Sequence, residues 1–168
     1  MKNIYLIANN NNSKDPLLNL TEDDIVVRFN HMEYQTRKLF NGKTDILFLR
    51  YNNTPPYYYH GLSSLSQINN NCNVIPIGGN KELFEKITRK KVKMHINKES
   101  VDKIWNLKSS SSGLVAITYF LKEYPDYNLK LIGFNFHREQ RRLKIHEFDK
   151  EQQIVKNLIN NNYPIEII

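Results

Sequence analysis

The sequence has a single cysteine, no long apolar run and no motif of paired cysteines or clustered metal ligands. Each absence closes a class of protein. The lone Cys72 excludes an internal disulfide framework and any zinc site built on paired cysteines, and it is read as a buried strand residue. Crossing a bilayer takes about 20 consecutive apolar residues, and no stretch here approaches that. The opening MKNIYLIANNNN carries one lysine and a short apolar run that meets asparagines where a secretory signal would have a small-residue cleavage site. It reads as a first strand, and the expected location is the cytoplasm. No Asp-X-Asp motif and no His/Cys/acid spacing of a metal site occurs, so no metal and no cofactor is expected. Basic stretches at 86–93 (KITRKKVK) and 138–144 (REQRRLK) lack the interleaved aromatics of a single-strand stacking platform, and no nucleic-acid motif accompanies them.

What is present is ordinary for a globular chain. Its 168 residues are 40% hydrophobic, 24% charged and 11% aromatic, enough to fold as one domain spanning 1–168. The net charge of +7 favours anionic partners, whether phosphates, acidic sugars, nucleic acid or a membrane surface. A solvated basic face accounts for it equally.

Six apolar runs of strand length recur, at 4–8, 25–29, 45–51, 73–77, 129–136 and 164–168. They are continuous, without strict alternation, as in strands buried on both faces of a parallel sheet. Leu114, Ile117, Leu121 and Tyr124 follow helical spacing, as Phe148, Val155 and Leu158 do more loosely. Strands alternating with helices imply an α/β fold, a single Rossmann-like domain with a mostly parallel sheet flanked by helices. In such sheets ligands bind beyond the carboxyl ends of the strands. Asparagine stands at four of these ends, around Asn9 to Asn12, at Asn30, at Asn52 and at Asn80. Its amide can read ribose hydroxyls and base edges, but it also favours turns.

Ser111, Ser112 and Gly113 open the helix that ends near Tyr124. A serine N-cap and a ready-made anion site at the helix start both account for this stretch. Gly113 costs helix stability within the first turn, which suggests close approach of backbone or ligand.

The order of IYLIANNNNS (4–13), VVRFN (26–30), GKTDILFLRYN (42–52), SSGLVAITYFL (111–121) and LIGFNF (131–136), then HEFDKE (146–151), resembles the sialyltransferases. It is most similar to the bacterial CMP-sialic acid transferases and more distantly to the animal enzymes with their sialylmotifs. The resemblance spans most of the chain except 55–108. It implies that Asn10, Ser13, Asn30, Asn52 and Ser112 hold the donor nucleotide, with Ser111 and Gly113 at the same helix start. Asn9, Asn11 and Asn12 depart from the family's glycine and proline, although asparagine tolerates left-handed backbone. His137 stands where the family has a phosphate-binding tyrosine and implies the same contact; a solvent-exposed loop histidine is the other reading. His146 resembles the family's general base, with Glu151 as its acid partner and Glu147 as the adjacent alternative. Only nine residues lie between Phe136 and His146, where the family has a lid, so the lid is reduced or absent. Either the site is open, or residues 54–70 cover it, or catalysis has been lost.

The resemblance implies a metal-independent glycosyltransferase that moves sialic acid, or a related acidic sugar such as Kdo, from a CMP-activated donor to a glycan hydroxyl. Its partners would be the CMP-sugar and a glycan or lipooligosaccharide-type acceptor, with a peripheral place at the inner membrane surface and a homo-oligomer both open. Nucleic acid is not favoured. The competing readings are a nucleotide-binding protein without transferase activity and a basic nucleic-acid-binding protein.

Overall fold

The computed structural model describes residues 2–9, 20–30, 38–51, 62–134 and 146–168, with backbone alone at 62 and 63. Six strands are β1 (Asn3–Ile7), β2 (Ile25–Phe29), β3 (Ile46–Arg50), β4 (Asn73–Ile77), β5 (Asn128–Ile132) and β6 (Ile165–Ile167). They pair in parallel throughout, in the order β4-β3-β2-β1-β5-β6. Among the described residues four α-helices flank the sheet, α1 (Lys81–Thr88), α2 (Lys98–Trp105), α3 (Ser112–Glu123) and α4 (Phe148–Asn160). The α/β expectation holds, and the sheet is wholly parallel.

The chain lays β1 to β4 outward in one direction, then returns to place β5 on the other side of β1. That reversal makes β1 and β5 the switch point, the place beyond whose carboxyl ends sheets of this kind bind ligands. Helices between parallel strands run back along the sheet, so the N-terminus of α3 lies at this same end.

The apolar runs are continuous because both faces are covered. On one face Ile4, Leu6, Val27, Phe29, Phe48, Leu129 and Leu131 pack against Leu114, Ile117 and Phe120 of α3 and Val155 and Leu158 of α4. On the other, Leu47, Leu49 and Val74 meet Phe84 of α1, while Tyr5, Ile7 and Val26 meet Leu39 and Phe40. Fully burying one such side chain contributes about 1.5–3 kcal/mol. Cys72 is buried as expected, just ahead of β4, and burial pushes its thiol up to about 11.

Arg28 interrupts this pattern, a buried cation inside β2. Its guanidinium donates to the Leu39 carbonyl at 2.7 Å and the Thr44 hydroxyl at 3.0 Å. It thereby ties down a segment in which Phe40 and Asn41 both hold left-handed backbone.

Three expectations need correction. β5 stops at Ile132, well short of 136, because Gly133 adopts φ 69 and turns the chain out of the sheet. α1 and α2 were not read from the sequence, since their apolar stripes are thin, with Phe84 and Val101 the buried apolar residues. What marks them is capping: Asn80 accepts from the Leu83 amide and Asn97 from the Glu99 amide, each at 2.9 Å. Asn80 is therefore a helix cap, while the reduced-lid expectation rests on 135–145, outside the described residues. No helix among the described residues is long and apolar enough to cross a membrane.

Phe48 is fully buried in the central sheet and its ring meets those of Phe29, Tyr119 and Phe120. Phe48→Ala is expected to lower unfolding stability by about 3–5 kcal/mol, measured as the shift of a urea transition followed by circular dichroism.

Candidate functional site

Ser109 to Ser112 form a run whose four members each reach a partner outside it. The Ser109 carbonyl lies 3.1 Å from His146 Nδ1, just before α4. Ser110 is fully buried; its amide donates to Asp102 of α2 at 2.6 Å, and its hydroxyl donates to the same carboxylate. Ser111 caps α3 by accepting from the Leu114 amide at 3.2 Å. Its amide and hydroxyl donate to the two oxygens of Glu151 in α4, at 2.7 and 2.5 Å. The Ser112 hydroxyl accepts from Asn30 Nδ2, at the end of β2, at 3.2 Å. Three serine side chains therefore fasten the start of α3 to α2, α4 and β2.

Gly113 follows for a steric reason. A Cβ there would stand 2.7 Å from Cε1 of Phe134, whose ring closes over the first turn. The group that approaches Gly113 is this side chain, where backbone or a ligand was expected. The helix start still presents amides that have no intrahelical carbonyl, together with the positive end of the helix dipole.

Asn30 is the junction at the strand ends. It holds φ 48, a left-handed conformation that asparagine tolerates better than most residues. Its amide donates to the Phe48 carbonyl at 2.8 Å, its Oδ1 accepts from the Arg50 amide at 2.7 Å, and its own carbonyl accepts from the Ser64 hydroxyl at 2.6 Å. Asn9, after β1, donates to the Phe29 carbonyl at 2.9 Å. The ends of β1, β2 and β3 and the start of α3 are thus joined through asparagine side chains.

Arg50, the last residue of β3, brings a half-buried guanidinium into this junction. Burial pulls its pKa below the usual arginine value, with Asp102 acting in the opposite sense. Its NH1 lies 3.1 Å from His146 Nε2. A guanidinium has no acceptor, so Nε2 must be the acceptor and the ring proton sits on Nδ1, donated to the Ser109 carbonyl. His146 is thereby fixed as one neutral tautomer, and its ring meets that of Phe148 edge-on at 5.3 Å.

The surrounding carboxylates are already engaged. Both oxygens of Glu151 serve Ser111, so this fully buried group positions the helix start. Glu147 accepts from the Lys108 amide at 2.7 Å and pairs with Lys150, contacts that hold its carboxyl below the usual range. Asp102 takes Ser110 and, at 2.5 Å, Lys98.

Of the residues singled out in the sequence, Asn30, Ser111, Ser112, Gly113, His146 and Glu151 come together through these contacts. Asn10, Ser13, Asn52 and His137 lie outside the described residues. Arg50, Asp102, Ser110 and Phe134 were not anticipated. Arg50 did leave a signal, a cation ending an otherwise apolar strand. Among the described residues no group of three His, Cys, Asp or Glu side chains gathers to hold a metal ion. Comparison with protein-family models, curated proteins and solved structures finds no match.

Glu151→Ala would strip Ser111 of two hydrogen bonds and leave its half-buried amide and hydroxyl unpaired, about 1–3 kcal/mol for each. A loss of about 3 kcal/mol or more in urea unfolding is expected. Burial pushes the Asp102 carboxyl up, but hydrogen bonds from Lys98 and Ser110 outweigh it and hold the group below the ordinary range. Asp24 is held low in the same way, by Thr21 and Asn3. A depressed folded pKa stabilises the fold above the unfolded value, near about pH 4, and that contribution is lost as pH falls through the folded value. Urea midpoints should therefore drop below about pH 4, and Asp102→Asn should flatten part of that slope.

Proposed function

We propose that the chain is a CMP-sugar-dependent glycosyltransferase of sialyltransferase type, which moves sialic acid or a related acidic sugar to a glycan hydroxyl without a metal. The observation that carries this reading is the meeting of His146, Arg50 and Asn30 with the start of α3 beyond the carboxyl ends of β2 and β3. A base, a cation and a helix start with leading amides at the ligand-binding end of a parallel sheet are the parts that such a displacement needs.

In this reading the acceptor hydroxyl gives its proton to His146 Nε2 as its oxygen bonds to the anomeric carbon. The bond from that carbon to the CMP phosphate oxygen breaks, and its electron pair leaves with the phosphate. The Nδ1 proton held by the Ser109 carbonyl orients the ring and supports the imidazolium that forms. Negative charge growing on the phosphate is met by the α3 amides and Arg50, with His137 as a further donor implied by the resemblance. A monophosphate leaving group asks for less countercharge than a diphosphate. Asn30 retains an amide hydrogen and a lone pair for the nucleotide, because each side-chain atom has one described partner. The proposed acceptor is a glycan, of lipooligosaccharide type where the enzyme works peripherally at an inner membrane surface.

One observation favours a second reading, nucleotide binding without turnover. His146 Nε2, the lone pair a base would use, faces the guanidinium of Arg50.

Calorimetric titration with CMP, with UMP and AMP as controls, tests the nucleotide reading. Selective CMP binding is expected, and no binding to any of the three would overturn it. With CMP-sialic acid and an oligosaccharide acceptor, His146→Ala should lower the transfer rate about a hundred- to ten-thousandfold while CMP affinity stays within threefold. CMP binding without measurable transfer by the wild type would support the second reading.

A further inference from the structure

We propose that Arg50 is an oxyanion-recognising gate on His146, covering the histidine's basic nitrogen and releasing it when a ligand's phosphate or carboxylate takes the guanidinium. The inference deepens the transferase reading and rests on it for what the freed nitrogen does.

The geometry begins with an imbalance. A guanidinium carries five N–H donors, and among the described residues the partner of Arg50's side chain is one neutral imidazole nitrogen. Among the described residues no ion pair forms on the guanidinium, Asp102 acting on it only through space, and the carboxylates of the neighbourhood are engaged elsewhere. Glu151 serves Ser111, Glu147 serves Lys108 and Lys150, and Asp102 serves Lys98 and Ser110. Holding a partly buried cation on a neutral acceptor is costly, and an arriving oxyanion would offset that cost.

Position points the same way. The Arg50 amide is bound to Asn30 Oδ1, and Asn30 Nδ2 is bound to Ser112 in the first turn of α3. One side chain therefore separates the root of Arg50 from a helix start whose leading amides favour negative charge. The free end of Arg50 is its long side chain, so the guanidinium can leave His146 while its backbone stays fixed.

The exchange has a direction. A charge-assisted bond from guanidinium to phosphate or carboxylate is roughly twice as strong as a bond to a neutral acceptor, and it can be bidentate. An arriving oxyanion thus outcompetes the imidazole. Before that, Nε2 cannot take a proton, because arginine does not surrender its own and two donors cannot face each other. While Arg50 holds Nε2 the histidine does not act as a base on water, and binding of the donor exposes it.

The test follows the His146 ring nitrogens by long-range proton–nitrogen NMR, in the full chain, with four probes: CMP, cytidine, N-acetylneuraminic acid and inorganic phosphate. In the wild type the Nε2 resonance should move with the oxyanion-bearing probes and stay with cytidine. A response to CMP and phosphate alone assigns the phosphate as the ligand of Arg50, and a response to the sugar acid alone assigns its carboxylate. In Arg50→Gln the Nε2 resonance should start shifted and no longer respond, with affinity for the active probe at least tenfold weaker. Arg50→Lys, which keeps the charge without the planar fork, should retain the fold and lose most of the response, which separates the gate from a folding effect. An unmoved Nε2 resonance in the presence of bound CMP, or equal affinity in wild type and Arg50→Gln, overturns the gate and leaves nucleotide binding standing. An Arg50-dependent response to phosphate or the sugar acid without CMP selectivity upholds the gate and overturns the CMP reading.

Discussion

The start of α3 is the constraint around which the site is arranged. A helix beginning at the carboxyl end of a parallel sheet carries amides that need partners and a dipole that attracts anions. Here the turn before the helix satisfies part of that need with serines and transmits the rest outward. Ser110 is bound to α2, Ser111 to α4 and Ser112 to the end of β2. Because Glu151 and Asp102 lie well inside the fold, these bonds act where water competes poorly and a lost partner is expensive. Trp105 adds a further tie between α2 and α3, donating to Thr118 at 2.7 Å.

This fastening has a consequence for charge. Carboxylates near the site are spent on holding backbone and hydroxyls, which leaves Arg50 as a cation without an ionic partner among the described residues. Arg28, in the neighbouring strand and in register with Leu47, three residues before Arg50, shows the contrasting case. It is more deeply buried, but carbonyl and hydroxyl oxygens of its own loop accept its hydrogens. Arg28 is a structural clamp. Arg50, with a histidine nitrogen as its described partner, is arranged as a group that can change partners.

Cooperation between the two histidine nitrogens links structure to function. The Ser109 carbonyl selects the tautomer and Arg50 occupies the other nitrogen, so both contacts define one protonation state. In the proposed transferase an imidazole held this way would already be oriented when a ligand arrives, lowering the entropy cost of aligning it with a hydroxyl. At the start of the same helix, the Phe134 ring lies so near Gly113 that a methyl group there would have to displace it.

The succession of strands was readable from the apolar runs, because strands buried on both faces are continuous and all six fell on those runs, β5 ending short of its own. α3 and α4 announced themselves through apolar spacing, whereas α1 and α2 bury too few apolar residues to show a stripe. Asn30, Ser111, Ser112 and His146 were marked by their type at strand ends and at a helix start. Their partners were not. That Ser111 meets Glu151 forty residues away, or that Arg50 reaches His146 across ninety-six, depends on strand order and helix packing. Periodicity reports which face of an element is buried but carries no information about which distant element covers it. The sequence by itself determined the α/β class and the residue types at the sheet's carboxyl edge. Only the tertiary structure decided which of those groups are spent on holding the fold, because their partners come from elements distant in the chain.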